Sequence, residues 1–164
     1  MQTFIHLIAD GAVIPVVLLG LYALTFKVPA KGRYGAYCRI LMAGLTAYLV
    51  AKLLATLYQP SGERPFQILG VAPGAAYLDN PGFPSDHALF VMAITLAVWF
   101  ETKSKILTSI MAVFVVLVCV GRVLALVHTP LDVIGGILVA CVGAAWYLNV
   151  PPERKVVARS PKAT

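Results

Sequence analysis

Acidic residues are scarce in this sequence. Seven Asp and Glu stand against thirteen Lys and Arg in 164 residues, and charged side chains of both signs make up only 12% of the chain. With 60% hydrophobic residues and a mean hydropathy of +0.86, the composition is too apolar for a soluble domain of this length. Cysteine is nearly absent. Cys38, Cys119 and Cys141 lie far apart in the sequence with no CxxC spacing, which removes a zinc ribbon or a thioredoxin-like site. Three thiols in apolar surroundings are expected to be free and to pack as small apolar groups. No basic-aromatic strip of the kind that grips single-stranded nucleic acid is present, so the net charge of +6 does not imply a nucleic-acid partner. The first apolar run has no basic stretch ahead of it, and no cleaved signal peptide is expected. There is no internal repeat and no interrupted apolar segment of the kind transporters use.

What is present is a series of apolar runs, at about residues 4–26, 40–58, 84–100, 106–126 and 130–148. They predict an all-α fold, an integral membrane bundle of about five transmembrane helices, with the lipid bilayer as its surroundings. Residues 1–150 read as one domain. Residues 151–164 read as a basic, disordered cytoplasmic tail, because Pro151 and Pro152 stop the helix and Arg154, Lys155, Arg159 and Lys162 follow. Lys27, Lys31, Arg33 and Arg39 form a loop broken by Pro29 and Gly32, and Lys103 and Lys105 form another. If the positive-inside rule holds, these pieces and the tail are cytoplasmic and the N-terminus is outside. The remaining cations, Lys52, Arg64 and Arg122, then fall toward the outer face with His87, His128 and Asp132. His6 and Asp10 read as polar residues at a helix end. The connection over 59–83 is long, rich in Pro and Gly, and carries Phe66, Ile68, Leu69 and Leu78. It fits equally a lipid-guiding loop and a loop packed over the bundle.

The densest chemistry lies in residues 120–136, where Arg122, His128 and Asp132 interrupt an apolar run. Ionisable groups inside a membrane segment are costly, so each is a functional candidate. His128 and Asp132 are four apart, within one helical turn. A carboxylate on one ring nitrogen fixes the tautomer and leaves the other nitrogen able to attack. Arg122 offers a forked cation suited to phosphate. Plainer roles fit the same residues: Thr129 as an N-cap, Pro130 as the first helical residue, Asp132 as the capping-box acid, and Arg122 as a side chain that snorkels to the interface. Upstream, Ser85 is a candidate N-cap for the helix that carries His87, and the free N–H groups there would form an anion site.

Taken in order, a lysine followed by Arg64-Pro65, then Pro84-Ser85-Asp86-His87, then Arg122-x5-His128-x3-Asp132 resemble the motifs of the phosphatidic acid phosphatase type 2 superfamily, over roughly residues 40 to 145. The resemblance implies a metal-independent membrane phosphatase with no cofactor, acting on a lipid phosphate or diphosphate. His128 would be the nucleophile and form a phosphohistidine, Asp132 would orient it, and His87 would protonate the leaving oxygen and then activate water. Arg64, Arg122 and Lys52 would hold the phosphoryl oxygens, with Ser85 and the N–H groups after it completing the cradle. The sequence around Phe83-Pro84-Ser85-Asp86-His87 looks like the undecaprenyl-diphosphate phosphatase branch, which acts at the outer face of the bacterial inner membrane. A phosphatidate or phosphatidylglycerol phosphate phosphatase is the enzymatic alternative, and a non-catalytic protein that binds anionic lipid is the other. Vanadium haloperoxidases share the phosphate motifs, but five spans without a soluble domain argue against that chemistry.

The chain departs from the family pattern in four places. Eleven residues separate Lys52 from Arg64, where the family usually has six. Gly121 stands where serine is frequent, and Asp86 where glycine is frequent. The Asp86 carboxylate is expected to turn away from any phosphate. Finally, five spans are counted where the family usually has six.

Overall fold

A computed structural model describes residues 2–58, 63–78 and 82–148. Helices carry the fold, and no strand occurs among the described residues. The order is α1 (Gln2–His6), a π-helical segment (Leu7–Gly11), α2 (Val13–Phe26), α3 (Arg33–Leu57), α4 (Pro65–Ile68), α5 (Asp86–Thr102), α6 (Lys105–Leu124) and α7 (Pro130–Gly143), with a 3-10 turn at Ala144–Tyr147. Among the described residues, four stretches are long and apolar enough to cross a membrane: Thr3–Phe26, Arg33–Leu57, Lys105–Leu124 and Pro130–Tyr147. The fifth expected crossing is α5, whose 17 residues extend about 25 Å, at the short end for a span. It packs on α2, α3, α6 and α7 and forms the middle of the bundle. The expected tail over 151–164 lies outside the described residues.

Bulky apolar side chains point outward and small ones point inward. Leu18, Leu21, Leu41, Leu49, Leu53, Val113, Val116 and Leu138 are exposed on the outer helix faces, where lipid would cover them. The buried face of α3 is Ala36, Ala43, Ala47 and Ala51. Lipid removes most of the hydrophobic drive between helices, so close backbone approach at small residues holds such bundles together. The contact of α3 with α7 follows that rule. A Cβ added at Gly143 would lie 2.3 Å from the Ala43 carbonyl oxygen. The larger core cluster sits between α2, α5 and α6, around Val16, Val91, Val98, Met111, Val115 and Val118. The three cysteines are free thiols; Cys119 is buried, and Cys38 and Cys141 are exposed.

One boundary differs from the sequence reading. The helix expected to begin near residue 40 begins at Arg33, so Arg33 and Arg39 stand on α3 rather than in a loop. The preceding turn ends at Gly32, whose φ of 87° is left-handed. Beyond it the arginines find partners while remaining helical. Arg33 donates to the Val28 carbonyl at 3.1 Å, and Arg39 pairs with both oxygens of Glu101 at 2.7 and 2.6 Å. Positive charge at a helix start near the membrane surface does not end a helix when such partners exist.

The opposite end of the bundle gathers the rest of the polar chemistry: the π-helical segment, the C-terminal ends of α3 and α6, and the first turns of α5 and α7. The described part of the long connection, residues 63–78, folds over this end. Phe66 is buried with Ala9, Ala75, Ala125 and Val127. Phe66 and Gly74 donate backbone hydrogen bonds to the carbonyls of Leu126 and Ala125, each at 3.0 Å. Ile68, Leu69, Val71 and Leu78 remain exposed. The loop therefore packs over the bundle and also presents an apolar outer surface.

Candidate active site

Two helix starts build the site. Ser85 caps α5, its Oγ accepting from the Ala88 N–H at 3.5 Å. Its own N–H donates to the Asp132 carbonyl at 2.9 Å, which ties the start of α5 to the first turn of α7. Gly136 makes this junction possible. A Cβ there would lie 2.5 Å from the Ser85 carbonyl oxygen and 3.0 Å from Leu89 N. The α7 start is a capping box: Thr129 Oγ1 accepts from Asp132 N at 3.3 Å, and Asp132 Oδ2 accepts from Thr129 N at 2.7 Å. Pro130 supplies the first helical residue, where its missing N–H costs nothing.

The same Asp132 Oδ2 lies 3.5 Å from His128 Nδ1. The helix-capping role and the histidine-orienting position thus belong to one carboxylate. At 3.5 Å the contact is longer than a good hydrogen bond, and such contacts tighten when substrate binds. His128 and Asp132 are both buried. With Nδ1 turned to the carboxylate, Nε2 is the nitrogen left for chemistry. Burial pushes the His128 imidazole below its ordinary value, and the neighbouring cations Arg122 and Arg64 push in the same direction; the Asp132 contact opposes them. The net result is a neutral imidazole at pH 7, the nucleophilic form.

A small cavity of about 40 Å³ opens at this point, lined by Arg64, Leu78, Gly82, Pro84, Asp86, His87, Arg122 and His128. Four of the residues singled out in the sequence, Arg64, His87, Arg122 and His128, therefore meet around one space. Arg64 is anchored by backbone carbonyls: Nη1 donates to Val127 O at 2.6 Å and Nη2 to Leu78 O at 2.9 Å. Its guanidinium also lies over the Tyr77 ring, 5.3 Å from the centroid. Arg122 is 1% exposed. Its Nη1 donates to Asp10 Oδ1 at 2.7 Å. Among the described residues, the buried side-chain polar atoms without a hydrogen-bond partner are Arg122 Nε and His128 Nδ1. Both belong to this site, and unsatisfied groups in a buried place ask for an explanation. A bound anion would supply one for Arg122.

Ser85 and Lys52 stand differently. Ser85 is fully buried, its hydroxyl is committed to the helix cap, and it does not line the cavity. Lys52 Nζ is 3.7 Å from Asp86 Oδ1 and 5.1 Å from the centre of the Tyr48 ring. It lines a neighbouring cavity of about 230 Å³ with Ala51, Ala55, Thr56, Phe83, Pro84 and Asp86. Pro84 and Asp86 border both spaces. The Asp86 carboxylate reaches a cation in Lys52 while its residue also borders the arginine cavity.

The sequence reading passed over one residue at this end. Asp10, read as a polar residue at a helix end, joins Arg122 through Oδ1 and accepts from the Ala76 N–H through Oδ2 at 2.9 Å. His6 Nε2 is 3.4 Å away and His87 Nε2 is 4.0 Å away. The available signal was the rule that intramembrane charges seek partners, applied to Arg122 and Asp10 together. Gly121 explains how Asp10 arrives. A Cβ there would lie 2.7 Å from both Cα and N of Ala9 and 2.9 Å from the Ile8 carbonyl carbon. A serine at this position could not be accommodated unless the π-helical segment moved.

The model of the PAP2 superfamily matches residues 34–155, which include all three motifs. The chain belongs to the PAP2 superfamily. No curated protein and no solved structure matches it. Membership makes the protein a phosphatase of phosphate esters, and its apolar helices make it a membrane protein. The match covers α3 to α7 and leaves α1, the π-helical segment and α2 outside it. Asp10 thus belongs to a part of the chain that the superfamily pattern does not describe.

Proposed function

We propose that this PAP2 superfamily member hydrolyses a lipid phosphate or diphosphate at the extracytoplasmic face of the cell membrane, by a metal-independent route through a phosphohistidine on His128. The substrate of choice is a polyprenyl diphosphate of the undecaprenyl kind, converted to the monophosphate. The observation that carries this reading is the meeting of His128, His87, Arg64 and Arg122 around one cavity, with Asp132 behind His128.

Chemically, the lone pair of His128 Nε2 attacks phosphorus and forms the N–P bond. The bond from phosphorus to the leaving oxygen breaks, and that oxygen takes the electron pair and a proton from His87. Water then attacks phosphorus, His87 takes the water's proton, and the N–P bond breaks to release phosphate and restore His128. Arg64 and Arg122 bring two fixed positive charges to the oxygens on which charge gathers. The capped start of α5, with Ser85, adds the positive end of a helix.

The neighbouring cavity supports a diphosphate. Lys52 stands beyond Asp86 and Pro84, where the phosphate retained on the leaving group would sit if the departing phosphate occupied the arginine cavity. Orientation rests on charge. Lys27, Lys31, Arg33, Arg39, Lys103 and Lys105 lie at the end of the bundle opposite the site, and under the positive-inside rule that distribution supports an extracytoplasmic site.

The test is phosphate release by purified protein in detergent with EDTA, from undecaprenyl diphosphate, phosphatidate and phosphatidylglycerol phosphate, beside His128→Ala. Preferred release from the diphosphate, lost in the variant, is the expected result. Preference for phosphatidate or phosphatidylglycerol phosphate would move the substrate. No release from any of them by folded protein would favour a non-catalytic lipid-binding role.

A further inference from the structure

We propose that Asp10 is a positioning residue for phosphoryl transfer, contributed by the N-terminal segment that lies outside the superfamily match. It holds one edge of the Arg122 guanidinium so that the rest of that group is presented to the phosphoryl oxygens. The inference rests on the phosphatase reading above.

Three observations carry it. First, the contact is short and one-sided: Asp10 Oδ1 takes Nη1 at 2.7 Å, while Arg122 Nε is buried without a partner. A guanidinium held on one nitrogen keeps its other donors for a second acceptor. Second, Asp10 is not among the residues that line the 40 Å³ cavity, whereas Arg122 is. The carboxylate therefore reaches the cavity through Arg122, with its Oδ1 also 4.0 Å from His87 Nε2, and does not itself line the anion's place. Third, Asp10 is itself fixed. Its Oδ2 accepts from Ala76 N, its backbone lies in a π-helical turn in which Ala12 N donates to Leu7 O at 3.0 Å, and Ala9 packs directly on Gly121. Interruptions of this kind in a helix frequently occur at functional sites. One carboxylate thus ties the first span, the loop at Ala76 and the phosphate-binding arginine into one unit.

A competing role is an internal anion that blocks Arg122 until substrate displaces it. The place of Asp10 outside the cavity lining and its fixed backbone favour positioning, and the two roles have opposite consequences for oxyanion affinity.

The test compares wild type, Asp10→Ala and Asp10→Asn in detergent. It measures kcat and KM on the lipid diphosphate, inhibition by orthovanadate, and thermal stability with and without orthovanadate. Asn keeps an acceptor for Arg122 Nη1 and serves as the folded comparison if Asp10→Ala fails to fold. Positioning predicts a kcat lowered roughly ten- to hundredfold in Asp10→Ala, as expected for a displaced binding group, with a smaller change in KM. Vanadate inhibition should weaken in parallel, and Asp10→Asn should fall between the two. A lower melting temperature with kcat and vanadate inhibition at wild-type values would overturn the proposal. So would tighter vanadate binding in either variant, which is the mark of a blocking anion. If wild type hydrolyses no lipid phosphate, the phosphatase reading fails on its own. The vanadate-induced thermal shift then decides: a smaller shift in the variants supports positioning of Arg122, and an equal shift, or none in wild type, overturns it.

Discussion

Asp132 performs two tasks with one carboxylate, and substitution separates them. In Asp132→Asn the amide oxygen can still accept from Thr129 N, so the α7 cap survives as a neutral hydrogen bond. The expected loss of stability is within about 1 kcal/mol. The contact with His128 Nδ1 suffers more: the same oxygen still faces the ring, but the neutral amide cannot balance charge developing on it. Loss of an orienting carboxylate of this type costs about 10² to 10⁴ in kcat, or about 3 to 5 kcal/mol of barrier. Asp132→Ala removes both functions. It leaves the Thr129 N–H without its acceptor and should lower stability by a further ~1–3 kcal/mol. The assay is kcat per folded molecule beside the melting temperature for both variants. The expected pattern is two inactive proteins, of which only the alanine variant is clearly destabilised. A nearly wild-type kcat in Asp132→Asn would show that the negative charge is not needed behind His128, and would refute the electrostatic role of the carboxylate.

Three further predictions concern the same end of the bundle. The His128 imidazole is held below its ordinary value of about 6.5, chiefly by burial. Once the ionisation of substrate and of His87 is allowed for, kcat/KM should stay level from pH 7 down to about 6.5 and fall only below that as the nucleophile takes up a proton. Stability should fall in the same acid range, because the unfolded chain binds that proton first; an acid limb centred above pH 7 would contradict this. Arg122→Lys replaces a fork that meets Asp10 with a point charge, and should lower kcat/KM about a hundredfold; an activity assay within threefold of wild type would count against Arg122 as a phosphoryl ligand. Gly121→Ser forces a Cβ to within 2.7 Å of Ala9. It should destabilise by about 1–3 kcal/mol and lower activity by shifting Asp10, whereas an unchanged melting temperature would mean that the π-helical segment yields freely.

Much of this was legible in the residues. The apolar runs gave the bundle, and scarce charge made each intramembrane cation or acid conspicuous. The order Arg64, His87, Arg122, His128, Asp132 also marked one end of the molecule. The local rules for Thr129, Pro130 and Asp132 gave the α7 cap as well as the orienting contact, since both follow from a spacing of three or four residues. What escaped depends on long-range pairing. Asp10 and Arg122 are 112 residues apart, and no periodicity links them. Gly121 read as a missing hydroxyl, while its packing role depends on a helix from the other end of the chain. Lys52, expected to hold a phosphoryl oxygen, faces Asp86 from α5 and lines a cavity beside that of the arginines, an arrangement that spacing along α3 does not reveal. The start of α3 lies earlier than its basic residues suggest, because Arg39 is neutralised by Glu101 from α5.

The most direct test of the central claim is a search for the covalent intermediate. Protein is mixed with a lipid diphosphate carrying ³²P in its terminal phosphate, and the reaction is quenched in base. The account predicts label on the chain that survives base and is released by acid, as a phosphoramidate should be, and that disappears in His128→Ala together with phosphate release. Phosphate release that continues undiminished in His128→Ala would contradict it.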